Sequence, residues 1–319
     1  MSAAYLAHGV TLALAWFAAA NVLVSIGVAF AARPILNDTR RRPAATWLAL
    51  RCLPAVAALT FVAAVFVPSY LRFEPRETIE GFDLTLTLFA LLALAVIAFA
   101  AFRGLRAWRR AALQAAVWTR SGRPLFINGI DVPVYTIGSA PAPLMALVGL
   151  ASPRVFVSER LVDALAGDEL RATLAHELSH VRSGDNVKRL LMRLLPDALA
   201  GTATATAIEQ RWASAAEHAA DHDATGADPA ARCALASALV KVARLTPPSL
   251  PMLEPISTLV GGGDLASRVE SLLAEPAALA ASRRAIWALA AALAACTIAY
   301  APLLRGVHEI TEVLVNSLP

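Results

Sequence analysis

From Leu84 to Phe102 the chain carries no charged side chain, and three other stretches, residues 6–32, 47–67 and 285–304, are nearly as apolar. A helix needs about 20 such residues to cross a bilayer. An apolar helix of that length in a water-soluble fold would have to be buried on every side. The pattern therefore predicts four transmembrane helices. Composition agrees: 58% of residues are apolar, only 16% are charged, and the mean hydropathy is +0.59. The first stretch is not a cleaved signal peptide, because it lacks a basic leader and its apolar run is too long. The second holds Arg51 and Pro54 near its start, where Arg51 can reach the headgroups.

Basic residues set the orientation. Arg33, Arg40, Arg41 and Arg42 follow the first span, Arg103, Arg106, Arg109 and Arg110 follow the third, and Arg283 and Arg284 precede the fourth. Arg72 and Arg76, between the second and third, are offset by Glu74, Glu77 and Glu80. This places the N-terminus outside and residues 103–284 in the cytoplasm. Three units follow: residues 1–102 with three spans, a cytoplasmic domain over 103–284, and residues 285–319 with the fourth span and a short outer tail. The net charge of +4 comes from these flanks. No basic patch interleaved with aromatics suggests direct nucleic-acid binding. Cys52, Cys233 and Cys296 lack metal or disulfide spacing and read as packing residues.

The chemistry is concentrated in His176-Glu177-Leu178-Ser179-His180. Residues four apart share one face of a helix, so both imidazoles can reach one small cation. Glu177 is then placed to take a proton from a water on that cation. Nitrogen ligands at this spacing suit Zn²⁺, which in catalytic sites keeps three protein ligands and one exchangeable position. Downstream, an alanine-rich helical stretch carries Glu217 and Asp221, again four apart. Glu217 can complete the site. Asp221 can bond the free ring nitrogen of a ligand histidine and fix its tautomer. His218 and His222 form a competing pair on a face about 100° away. Glu217 is preferred, since four histidines would fill a tetrahedral zinc and leave no place for water.

Together with Val155–Glu159, Asp168-Glu169-Leu170 and Asp185, these motifs make the chain resemble the BlaR/MecR-type membrane metallopeptidases over about residues 1–305, most strongly over 153–223. The HtpX and CAAX-prenyl endopeptidase group shares both motifs and is the nearest alternative. The resemblance implies a gluzincin: His176, His180 and Glu217 holding one Zn²⁺, Glu177 as general base and acid, and Asp221 behind a ligand imidazole. It also implies a bacterial cytoplasmic membrane and a separate sensor or repressor as partner. The β-lactam sensors carry a penicillin-binding domain with a Ser-x-x-Lys serine. Here about fifteen residues follow the fourth span, and neither Lys188 nor Lys241 has serine three positions earlier, so covalent β-lactam sensing is not expected.

Residues 103–284 read as a small mixed α+β, zincin-like domain. Strands are expected at 133–137, 143–150 and 154–157, bounded by Gly and Pro, and the segment 143–157 is where, by analogy, an edge strand would hold substrate. Ser158 opens a short helix closed by Gly167, Asp168 caps the zinc helix, Gly184 ends it, and Asp185 caps the helix that follows. That helix, 186–195, is basic on one side and leucine-rich on the other. Asp228-Pro229 opens another helix, the Pro- and Gly-rich stretch 246–263 is a loop that could gate the site, and Asp264 caps a last helix over 265–273. The expected function is a membrane-embedded zinc endopeptidase acting on cytoplasmic or membrane-proximal proteins, a transcriptional repressor among them, with the bilayer as its other partner. The HtpX-like quality-control protease is the first alternative. A non-catalytic scaffold would have no use for Glu177. A metal transporter would need polar residues inside the spans. The oxyanion donor is left between His218 and His222, while His8 and His308 read as bystanders at the opposite membrane face.

Overall fold

In the computed structural model the described residues are 3–38, 41–74, 84–127, 129–138, 145–150, 152–245, 257–258, 265–274 and 302–315. Three apolar helical units are each long enough to cross a membrane: α1 (Ala3–Asn37), the continuous run Ala44–Phe73, and α4 (Leu84–Ser121). The middle run comprises α2 (Ala44–Phe61), a π-turn (Val62–Phe66) and α3 (Val67–Phe73). The π-turn has a cause in the sequence. Pro68 cannot donate to the preceding turn and its ring crowds the carbonyl four residues back, and one widened turn just before it relieves both. These apolar helices suggest a membrane protein. The expected fourth span falls mostly on residues outside the described set, and only its end belongs to the helical residues 302–315.

The three units pack through small residues. Phe17 and Ala18 of α1, Ala58 of α2 and Ala93 of α4 form a tight centre. At one end Tyr5 and Tyr70 bond each other's backbone carbonyls, and Ser69 donates to Leu304 O at 2.7 Å. At the other end the contacts turn polar. Arg51 is buried and ion-pairs with Asp197 and, at 2.7 Å, with Glu209. Asn21 donates to Pro196 O at 2.9 Å and accepts from Ala198 N at 2.8 Å. These groups pin the segment around residues 196–198, and Glu209 beyond it, to the apolar helices. α4 meanwhile continues without a break past residue 102 and carries the chain into the mixed domain.

That domain is built on a five-stranded sheet of order β1-β2-β4-β3-β5: β1 (Arg123–Leu125), β2 (Val134–Ile137), β3 (Met145–Val148), β4 (Arg154–Ser158) and β5 (Ser257–Thr258). β2 and β4 are parallel, and the other neighbours are antiparallel. The three expected strands are β2, β3 and β4, while β1 and β5 lie in segments too short and Pro-rich to announce themselves. Contrary to expectation, β3 is not a free edge, because β4 pairs on one side and residues 257–258 of the expected loop pair on the other. The rest of that loop lies outside the described residues.

Helices α5 (Glu159–Ala164), α6 (Gly167–Ser183), α7 (Asp185–Leu194), α8 (Ala203–Thr225), α9 (Pro229–Leu245) and α10 (Leu265–Leu273) complete the domain. The main core lies between one face of the sheet and α5, α6, α9 and α10, with Val155, Val157, Leu161, Leu174, Leu235 and Leu239 almost fully buried. A second cluster joins α1 and α2 to α8 through Val28, Trp47, Ile208 and Trp212. α8 therefore faces the apolar helices along its first half and α6 along its second.

Candidate metal centre

The HELSH box lies in the middle of α6, where His176 and His180 are buried at 0% and 1% exposure. The helix begins two residues earlier than Asp168 would cap it. Ala166 is the cap residue, and its N–H donates to Glu169 Oε2 at 2.8 Å. Glu169 also takes bonds from Ser237 and Lys241 of α9, at 2.6 and 2.7 Å, so tertiary contacts decide where the helix starts. It ends at Gly184, whose φ of +67° is the left-handed conformation that glycine adopts without a Cβ clash. The same residue precedes α7, so the chain reverses there and brings Asp185 back beside His180.

α8 starts at Thr202, whose hydroxyl accepts from Ala205 N at 3.2 Å. In its second half it turns Glu217 and Asp221, both buried, toward α6. His176 Nε2 lies 3.2 Å from His180 Nε2 and 3.3 Å from Glu217 Oε2, and His180 Nε2 lies 3.5 Å from Glu217 Oε1. Ligands about 2.0–2.1 Å from a common zinc at tetrahedral angles would stand about 3.3 Å apart. The two imidazole nitrogens and the Glu217 carboxylate therefore converge at separations that suit ligands of one small cation.

Each imidazole is oriented from behind. His176 Nδ1 is 2.9 Å from Asp221 Oδ1, and His180 Nδ1 is 2.7 Å from Asp185 Oδ2. The hydrogen bond between His180 Nδ1 and Asp185 fixes that ring with its Nε2 toward the shared centre, and the Asp221 carboxylate lies against His176 Nδ1. Burial alone would raise Asp185, but His180 and Lys188 bring its pKa down to about 2. Asp221 is likewise held well below the usual carboxylate range, against its burial, by Arg268 and His176. Glu217 is lowered against complete burial by His176, His180 and Arg268. His176 itself is raised to about 9, because Asp221 and Glu217 outweigh the desolvation that opposes its charge.

Glu177 is the exception in this network. It is 0% exposed, and neither carboxylate oxygen has a hydrogen-bond partner among the described residues. Burial pushes its pKa up to about 7, the neighbouring His176 and His180 only partly offsetting this. A buried carboxylate without partners costs free energy. One poised near neutrality beside two imidazoles that can hold a cation is suited to accept and return a proton.

The structure thus brings His176, His180 and Glu217 together with Asp221 behind them. It places the other two candidates elsewhere. His218 is half-buried with Nε2 3.4 Å from Ser267 Oγ, and His222 is exposed. Three contributors were not visible in the sequence. Asp185, expected only as a helix cap, holds a ligand imidazole. Arg189 approaches Glu217 Oε1 at 3.8 Å, its guanidinium over the Trp212 ring. Arg268 of α10 reaches both Glu217 and Asp221. The reversal at Gly184-Asp185 was a usable signal for the first, whereas Arg268 meets its partners across about fifty residues of chain and left none.

A comparison with curated proteins finds no match. Residues 135–257, which contain the HELSH box and the Glu217–Asp221 pair, match the model of Peptidase family M48, which supports a metallopeptidase of that family without singling out the BlaR/MecR type.

Proposed function

We propose that the protein is a membrane-embedded, zinc-dependent endopeptidase that cleaves cytoplasmic or membrane-proximal proteins. The observation that carries this reading is the convergence of His176, His180 and Glu217 on one point, with the buried Glu177 carboxylate, which has no hydrogen-bond partner among the described residues, next to them. The family match and the three membrane-length helices support it. A bound Zn²⁺ would supply Lewis acidity to the scissile carbonyl and lower the pKa of the attacking water. Glu177 takes the proton of that water and delivers it to the departing amine, cycling between the two states its burial keeps close in energy. Asp221 and Asp185 keep both imidazoles in the metal-binding tautomer throughout.

In this reading the N-terminus lies outside and the site on the cytoplasmic side, as the arginine-rich flanks of α1 and α4 indicate. HtpX-like quality-control proteases also belong to family M48, so degradation of damaged membrane proteins is the second reading. The first keeps a signalling role, with a repressor as substrate and a separate sensor as partner, because three apolar helices precede the zinc motif. Zinc content of the purified chain tests the common core. Glu217→Ala should lose bound zinc, while His218→Ala and His222→Ala should retain it. The reverse order would remove Glu217 from the ligand set.

A further inference from the structure

Arg268 stands out among the charged groups outside the two motifs. It is only 2% exposed, on a short helix that follows the catalytic motifs by some fifty residues. Its Nε donates to Asp221 Oδ2 at 2.8 Å and its Nη2 to Asp221 Oδ1 at 2.7 Å, a bidentate clamp. Its Nη1 lies 3.0 Å from Glu217 Oε2. One planar guanidinium therefore spans both carboxylates that α8 presents to α6.

We infer that Arg268 is a positioning residue of the metal centre: it locks Asp221 as the partner of His176 and fixes the carboxylate of Glu217 toward the two imidazoles. Three physical points support this. First, Glu177, Asp185, Glu217 and Asp221 place four carboxylates, each 3% exposed or less, around a site for one divalent ion. Such a cluster needs further positive charge at close range, and charges removed from water persist only when paired. Second, Asp221 can hold His176 Nδ1 through Oδ1 only if its carboxylate is kept from rotating, and bonds to both oxygens from one rigid fork do that. Third, the fork geometry is specific to arginine, since a lysine ammonium reaching the same place could not address both oxygens of Asp221 and Glu217 at once.

Arg41 also holds α10, donating to Ser267 and Ser271, both at 2.9 Å, and Ser267 Oγ lies 3.4 Å from His218 Nε2. The helix is thus held between the segment that joins α1 to α2 and the metal centre. The site is complete only when this late segment of chain is in place.

The inference rests on the metallopeptidase reading, and its test uses the full chain in lipid nanodiscs. Zinc affinity is measured by competition with a chromophoric chelator, and the Co²⁺-loaded protein is followed by its visible d–d spectrum. Arg268→Lys and Arg268→Gln should remain folded by circular dichroism, bind zinc about 10–100-fold more weakly, and show a changed Co²⁺ spectrum. Arg41→Ala, which loosens α10 without touching a carboxylate of the site, should leave both readouts as in the wild type. Wild-type zinc affinity and an unchanged cobalt spectrum in a folded Arg268 variant would overturn the inference. So would an equal loss in Arg41→Ala, which would assign the effect to helix docking instead of the guanidinium. Should Arg268→Gln fail to fold, Arg268→Lys decides by the same two readouts. A wild-type chain that binds no zinc would sink the metal centre itself and this inference with it.

Discussion

Asp185→Asn separates two roles that the sequence could not tell apart. Asparagine caps a helix about as well as aspartate, so a residue that only starts α7 would tolerate the change with little effect. A residue that holds His180 Nδ1 at 2.7 Å would not, because the bond loses its charge. The amide oxygen can still accept from Nδ1, so the loss should be partial, about tenfold in zinc affinity, and Asp185→Ala should lose about a hundredfold. Those ratios correspond to about 1.4 and 2.7 kcal/mol. Independently, a hydrogen bond to a charged group contributes about 1.5–3 kcal/mol. The two magnitudes agree, which is the reason for expecting a graded series and not an all-or-none one. Competition titration with zinc at pH 7 provides the assay, with helix content checked by circular dichroism. Wild-type affinity in both variants would refute the assignment of Asp185 to His180.

Two further outcomes follow from the buried charges. Because burial raises Glu177 to about 7 in the metal-free protein, its ionisation is disfavoured by folding. Protonated, it does not oppose folding below its ordinary range near pH 4.5, but that advantage is lost as pH rises through 7. Metal-free Glu177→Gln should therefore be more heat-stable than the wild type at pH 8, with the difference shrinking toward pH 5; a difference independent of pH would contradict the buried, unpartnered carboxyl. Arg51→Met should cost about 3–5 kcal/mol in unfolding measured in micelles, because it leaves Asp197 buried without its counter-charge. Adding Asp197→Leu should recover part of the loss, whereas an unchanged single variant would mean that the Arg51 cluster does not hold the apolar helices to α8.

The legible parts of the fold were those with periodic or local causes. The charge-free run of α4 announced a membrane-length helix, and the i, i+4 spacings alone paired His176 with His180 and Glu217 with Asp221. Gly184 marked the end of α6 because only the local backbone decides that. Tertiary contacts decided the rest. Glu169, claimed by Lys241 and Ser237, moved the start of α6 ahead of Asp168. β5, described over Ser257–Thr258, joins the sheet through its pairing with β3. Arg51 looked like a residue reaching for headgroups, yet it is buried against Asp197, a residue that no local pattern distinguished. Asp185 illustrates a subtler limit: a good cap residue has the same chemistry as a good imidazole partner, and only the fold chooses between them.

The most direct measurement pairs metal content with cleavage in one variant. Glu177→Ala should keep stoichiometric zinc, since His176, His180 and Glu217 are untouched, and should lose proteolysis of co-expressed substrate proteins, since the proton acceptor is gone. Zinc retained together with undiminished cleavage would contradict the role given to Glu177, and with it the account of this site as a hydrolase.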